Sequence, residues 1–221
     1  DLADFVGDSL ELSRKAADTD ADVIAFCGVK FMADTAKILS PDKIVVLPDM
    51  EAGCSLEDSC PPDKFKAFRK AHPDHIALTY INCSTEVKAL SDVIVTSSSA
   101  ETIISQIPKD QPIIFGPDRH LGGYLNRKFG REMLLWPGVC IVHEAFSERE
   151  LMKLKEQYPD APIAAHPECP PHIIDHADHV GSTSSILQFA KTFTGDTLIV
   201  ATEPHIIHQM EKALPEKNFI G

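Results

Sequence analysis

Residues 91–104 read SDVIVTSSSAETII: a small residue and an aspartate, a short apolar strand, a run of hydroxyl side chains, then the start of an amphipathic helix. The same order stands at 21–35, ADVIAFCGVKFMADT, and at 177–190, ADHVGSTSSILQFA. A second motif follows each copy, an apolar strand running through a tight turn of proline and an acidic residue into a helix. It is KIVVLPDMEAG at 43–53, PIIFGPDRHLGG at 112–123 and TLIVATEPHIIH at 197–208. Two of the copies are preceded by a related strand, in HIALTYINCSTEVKAL at 75–90 and PIAAHPECPPHIIDHA at 162–177. Short apolar strands alternating with amphipathic helices are the pattern of parallel α/β structure. The spacing is too irregular for a solenoid. Three homologous α/β domains are therefore expected, at 1–70, 71–150 and 151–221, with the leading strand of the first copy lying before residue 1.

Apolar runs predict strands at 22–28, 43–49, 75–82, 92–98, 112–118, 133–138, 162–168, 179–184 and 197–204, with amphipathic helices between them. Ser9 is read as an N-cap, and Ser147 with Glu150 as a capping box. In parallel α/β sheets ligands collect at the carboxyl ends of strands, where loops enter helix N-termini. The residues standing at those ends are Cys54, Tyr80, Asn82, Ser97, Ser98, His166, Glu168, Ser182 and Thr183.

At 221 residues and 43% hydrophobic the chain can bury a large core. Its 33 acidic against 21 basic residues, a formal charge of -12, argue against nucleic acid or an anionic membrane surface as partner. A small-molecule partner is expected. No apolar run approaches the roughly 20 residues of a membrane span, and no signal-peptide pattern occurs, so a cytoplasmic protein is expected. The opening DLADFVGD resembles a helix tail, so sequence missing at this end is also expected.

Six cysteines, at 27, 54, 60, 83, 140 and 169, contain no C-x-x-C. In a cytoplasmic chain they read as reduced thiols or metal ligands rather than a disulfide framework. Cys54 follows EAG and Cys140 follows WPGV, both after a glycine that permits close approach of the backbone. The bland alternative for either is a small buried hydrophobe. Cys27, inside an apolar strand, and Cys60, before Pro-Pro, read as structural, and Cys83 and Cys169 as lining. His166 and Glu168, two apart in AAHPEC, point the same way if the segment is extended, an arrangement suited to acid–base work, anchoring or metal binding. The alternative is a turn with a solvated glutamate. Tyr80 and Asn82 repeat the spacing, with an exposed tyrosine and a capping asparagine as the alternative. The hydroxyl runs VTSSSAE and VGSTSSI suit a carboxylate or phosphate, or plain N-capping. Nucleotide glycine motifs are absent, and His143-Glu144 does not belong to an H-E-x-x-H motif.

GDSLEL, GVKFMADTAKIL, LPDMEAGCSLEDSCP, YINCSTEVKALSDVIVTSS, GPDRHLGGYLNRKFGREMLLWPGVCIVH, HPEC and GSTSSIL, in that order over essentially the whole chain, resemble the quinolinate synthase family. The resemblance implies three α/β domains around a pseudo-threefold axis and a 4Fe-4S cluster held by one cysteine from each. It implies a transferase of NAD biosynthesis that condenses iminoaspartate with dihydroxyacetone phosphate, losing phosphate and water. Cys54 and Cys140 match two cluster ligands, and the third lies outside this chain. Ser9, Tyr80, Asn82, Ser97, His166, Glu168, Ser182 and Thr183 match substrate-contacting positions, and Phe31 and Met32 lie near the pocket. Tyr80, His166 and Glu168 are the expected proton-transfer residues. Iminoaspartate implies a metabolic link to an aspartate oxidase or dehydrogenase. The rival readings are another 4Fe-4S hydro-lyase, and a non-enzymatic small-molecule binding fragment.

Overall fold

A computed structural model describes residues 2–221. In chain order the elements are α1 (Ser9–Asp18), β1 (Val23–Ala25), α2 (Lys30–Leu39), β2 (Ile44–Val46), α3 (Ser55–Asp58), α4 (Pro62–Ala71), β3 (Ile76–Tyr80), α5 (Thr85–Ala89), β4 (Val93–Val95), α6 (Ala100–Gln106) and β5 (Ile113–Gly116). They continue as α7 (Arg119–Phe129), β6 (Leu134–Leu135), α8 (Ile141–Glu144), α9 (Glu148–Gln157), β7 (Ile163–Ala165), α10 (Pro171–Ile174), β8 (His179–Val180), α11 (Thr183–Thr192), β9 (Thr197–Ala201), α12 (Ile206–Ala213) and β10 (Asn218–Ile220). Every strand pairing is parallel, as the α/β reading requires.

Two compact units are present: residues up to Pro117 with Glu132–Gly138, and Asp118–Arg131 with Val139–Gly221. The first holds a two-stranded sheet, β1-β2, and a four-stranded sheet ordered β4-β3-β5-β6. The second holds a four-stranded sheet ordered β8-β7-β9-β10. The two larger sheets share one order: the second strand in sequence, then the first, third and fourth.

The repeated small-Asp motif has a structural cause. Asp92 Oδ2 accepts the Ala77 N–H at 2.7 Å, and Asp178 Oδ2 accepts the Ile163 N–H at 2.8 Å. Each aspartate thereby satisfies a backbone donor at the start of the neighbouring strand, where no ladder partner reaches it. Asp92 also holds Arg69 at 2.8 Å.

Alternation along β7 and β9 sorts side chains onto two faces. Ile163, Ala165, Ile199 and Ala201 pack with Leu151 of α9 and Ile173 of α10. Ala164, Leu198 and Val200 pack with Ile186 and Ala190 of α11 and Met210 of α12. The second unit therefore has helices on both faces of a buried parallel sheet, which is why these strands are apolar throughout. In the first unit, Ala77 and Ile114 pack with Phe65, Val87, Trp136 and the thiols of Cys60 and Cys83. The small sheet turns Ile24 and Val45 toward Ala16, Ala33 and Ala36 of α1 and α2.

Several local expectations are corrected. Asp8, not Ser9, caps α1, accepting from the N–H groups of Leu10 and Glu11, and Ser9 is the first helical residue. Ser147 is the N-cap of α9 but makes no side-chain capping bond, and Glu150 turns to Lys153 and Arg149, so no capping box forms. Cys27 lies beyond the end of β1 and is exposed, because the strand stops at Ala25. Three elements went unanticipated: β10, too polar on one side to read as a strand, and the one-turn helices α3 and α8, too short to show a period. No helix is long and apolar enough to cross a membrane among the described residues.

Candidate active site

In the second unit the site starts at the turn entering α7. Asp118 is fully buried, accepting the Leu121 N–H at 2.7 Å through Oδ1 and the Cys140 N–H at 3.2 Å through Oδ2. One carboxylate thus caps α7 and fixes the backbone of Cys140. Gly138, two residues earlier, is needed for space, since a Cβ there would stand 2.5 Å from the Pro117 carbonyl oxygen. Gly53, before Cys54, carries no such constraint, its nearest neighbour being 3.7 Å from a notional Cβ. The two glycine contexts that looked alike in sequence are therefore not equivalent.

Cys140 is the N-cap of α8, and one turn later the helix presents His143 beside it. The His143 ring is buried, with Nε2 3.1 Å from Thr202 Oγ1 and Nδ1 3.2 Å from Glu168 Oε2. It stacks on His166 with ring centroids 5.0 Å apart. His166 and Glu168 converge as expected, but through a turn rather than an extended segment. Strand β7 ends at Ala165, the Glu168 N–H donates to His166 Nδ1 at 3.4 Å, and the Cys169 N–H donates to the His166 carbonyl. Glu168 is only 3% exposed, which rules out the solvated turn. Sequence reasoning passed over His143, Asp118 and Thr202. The signals were present: C-x-x-H in CIVH places a thiol and an imidazole one helical turn apart, and Asp118 and Thr202 stand at carboxyl ends of β5 and β9.

The environments of the two histidines push them apart. Burial holds His166 down to about 4, outweighing the Glu168 charge, so its ring is neutral. Burial also opposes charge on His143, but the Cys140 and Glu168 side chains beside it win and raise it to about 10. Asp118 is raised to about 8, by burial first and by Glu168 second. A cationic and a neutral imidazole stacked around one buried carboxylate can give and take protons at a bound substrate.

Ser182 caps α11, its hydroxyl accepting the Ser185 N–H at 3.3 Å, while Thr183 is the first, exposed residue of that helix. The plain capping reading of this hydroxyl run is therefore realised at Ser182.

In the first unit Tyr80 closes β3 and is buried. Asn82 lies in the bend beyond, not in an extended strand, and Ser84 rather than Asn82 caps α5. The buried Oδ1 of Asn82 has no hydrogen-bond partner, the mark of an atom waiting for a ligand or water. After β4, Thr96, Ser98 and Ser99 bond among themselves, whereas Ser97 is half-buried and outside that network. Phe31 is buried in α2 with the Lys88 ammonium 5.2 Å from its ring centroid, and Met32 is half-buried beside the core of the small sheet. Ser9 is half-buried, and its carbonyl accepts from the Ser13 hydroxyl.

The cysteines separate into two kinds. Cys60, Cys83 and Cys169 are at most 1% exposed, and burial raises all three thiols, Cys60 and Cys83 to about 12. They are neutral packing groups. Cys54 and Cys140 are half-buried, and each is the N-cap of a four-residue helix with extended backbone. Among the described residues no disulfide forms. A thiol that is accessible and stands at a helix N-terminus is suited to act as a thiolate ligand. The donor chemistry of Cys54 and Cys140 thus fits an iron–sulfur cluster, and that of Cys60 does not.

Parallel α/β units carrying a buried acid–base cluster and two half-buried thiols at helix N-termini have the parts of an enzyme's active site. Residues 1–221 match the family described as Quinolinate synthetase A protein (NadA), and the chain belongs to it. It is 59% identical over 220 residues to the quinolinate synthase of Prochlorococcus marinus (strain MIT 9303), covering 100% of this chain and 66% of that protein. Against the quinolinate synthase of Synechocystis sp. (strain ATCC 27184 / PCC 6803 / Kazusa) identity is 61% over 220 residues, covering 100% and 69%. Against that of Cyanophora paradoxa it is 57% over 221 residues, covering 100% and 67%. The chain spans between 66% and 69% of these relatives' lengths.

Proposed function

We propose that this chain carries the greater part of a quinolinate synthase, a transferase that condenses iminoaspartate with dihydroxyacetone phosphate, releasing phosphate and water. Family membership over the whole chain supports the reaction class, and the stacked His143–His166 pair around Glu168 is the observation that carries the chemistry. Cys54 and Cys140 would hold a 4Fe-4S cluster together with a third cysteine outside these residues. When bound, a cluster with three thiolate ligands supplies one iron with an open position, a Lewis acid for the loss of water.

The chain's own residues do the rest. His143, cationic beside Glu168, donates a proton to a departing oxygen, and Glu168 takes one from carbon or nitrogen during condensation and ring closure. His166, neutral, with Nδ1 accepting from the Glu168 N–H, offers Nε2–H to a substrate oxygen. The family resemblance assigns Tyr80 to proton transfer as well as substrate contact, and Asn82, Ser97, Ser182, Thr183 and Ser9 to contacts with the substrates' carboxylates and phosphate. Phe31 and Met32 back the pocket. The three sequence repeats would form three domains. The supply of iminoaspartate calls for an aspartate oxidase or dehydrogenase.

The test is quinolinate formation from iminoaspartate and dihydroxyacetone phosphate by anaerobically reconstituted protein carrying the relatives' full length. Dehydration of a simple hydroxy acid without quinolinate would favour the hydro-lyase reading. Ligand binding with no cluster would favour the binding fragment.

A further inference from the structure

The ligand atoms of Cys140, His143 and Glu168 all lie within 4.8 Å of one another, with His143 and Glu168 buried and Cys140 half-buried. A tetrahedral zinc-type ion with bonds of roughly 2.0–2.3 Å needs its donors about 3.3–3.8 Å apart. Side-chain adjustment of about an ångström closes the set onto such an ion. We infer that in cluster-free protein these three residues bind a single divalent transition-metal ion of the Zn2+ class, with its fourth position open. Because the ion uses the Cys140 sulfur, it and the cluster exclude each other at that residue. This exclusion, though not the ion site, rests on the reading of Cys140 as a cluster ligand.

Four features beyond proximity support the site. The His143 Nδ1 is buried, 3.2 Å from Glu168 Oε2, yet without a hydrogen-bond partner of acceptable geometry. Its other nitrogen, Nε2, stands 3.1 Å from the Thr202 hydroxyl. With Nε2–H donated to Thr202, an ion that displaces the Nδ1 proton meets the Nδ1 lone pair aimed toward Cys140 and Glu168, which is how metal-bound histidines are held. The Asp118 carboxylate fixes the Cys140 backbone at 3.2 Å, and the His166 turn fixes Glu168. The donors combine thiolate, imidazole and carboxylate on two short segments and leave one position vacant, the ligand count of a catalytic rather than a structural zinc site. Cys169 is no rival ligand, since its thiol is buried and donates to the Ala201 carbonyl at 3.3 Å.

Cobalt(II) is the probe, titrated anaerobically into cluster-free protein with folding followed by circular dichroism. The expected result is one ion per chain, a thiolate-to-cobalt charge-transfer band with four-coordinate d–d bands, and displacement by one equivalent of Zn2+. Cys140→Ser should abolish the charge-transfer band. Glu168→Gln and His143→Ala should each weaken binding at least tenfold, and Thr202→Val by roughly 10-fold or more, with recovery in Thr202→Ser. Cys54→Ser should bind as the parent does. A band that survives Cys140→Ser, binding indifferent to both Glu168→Gln and Thr202→Val, or a loss in Cys54→Ser equal to that in Cys140→Ser would overturn the site. Stoichiometric cobalt uptake by cluster-loaded protein would overturn the exclusion. Since the titration needs no turnover, its result is independent of whether quinolinate is formed.

Discussion

Nδ1 of His143 lies 3.2 Å from Oε2 of Glu168 at a position where both side chains are less than a tenth exposed. A buried carboxylate and a buried imidazolium in contact each depend on the other for charge compensation. The pair belongs to two segments 25 positions apart, one a single helical turn and the other a strand-end bend.

Glu168→Gln keeps the shape and removes the charge. Turnover of the reconstituted full-length enzyme should fall by about 10²–10⁴, the usual reach of a general acid–base group. Steady-state quinolinate formation measures it, and near-parental kcat would remove Glu168 from the proton-transfer role.

Acid stability should carry the signature of His166. Its folded value of about 4 lies below the ordinary 6.5, so the unfolded chain binds the proton more readily between these limits. The contribution is complete above 6.5 and is lost as pH falls toward 4. Denaturant titrations from pH 7 to 4 should show a decline that His166→Gln makes shallower. His143, raised to about 10, acts in the opposite sense, its contribution complete below 6.5 and lost as pH climbs toward 10.

Cys60→Ser should keep the cluster and lose stability, because a hydroxyl replaces a thiol in a packed core at a cost of about 1–3 kcal/mol. Cys54→Ser and Cys140→Ser should lose the cluster with much smaller effects on apo-protein stability. Iron and sulfide content together with urea midpoints separate the two outcomes. Iron loss in Cys60→Ser would reverse the ligand assignment.

Asn82→Ala removes a polar atom that the substrate-free protein leaves unsatisfied. Its thermal midpoint should match or exceed the parent's, while KM for substrate rises. A clear drop in Tm with unchanged KM would make Asn82 structural.

Asp92→Ala and Asp178→Ala each orphan a strand N–H, so each should cost about 1–3 kcal/mol and speed amide exchange at Ala77 or Ile163. Asp22, in the same motif position but with no strand N–H bonded to its carboxylate among the described residues, should tolerate alanine. Equal costs at all three positions would mean that the motif acts through something other than these bonds.

Strand and helix placement was legible in the chain because apolar periodicity is a local property: each of the nine anticipated strands is present, shorter than its apolar run. The two four-stranded sheets share one strand order, as copies of one repeat would, though the sequence did not itself show that order. His166 and Glu168 were legible as a pair, since only one residue separates them. What was not legible depended on groups distant in sequence. Cys140 and His143 meet Glu168 only because α8 and the end of β7 are brought together, and Thr202, 59 residues from His143, completes that contact. Cys54 and Cys60 were told apart by their neighbours in the chain, and packing supplies the reason, burying Cys60 against Phe65 and Trp136 and leaving Cys54 at a helix entrance. Local sequence determined which segments are strands, helices and turns and which family the chain resembles. Burial and long-range contact, which set solvation and charge, decided which thiols can ligate, which histidine is charged, and which aspartates hold the sheets.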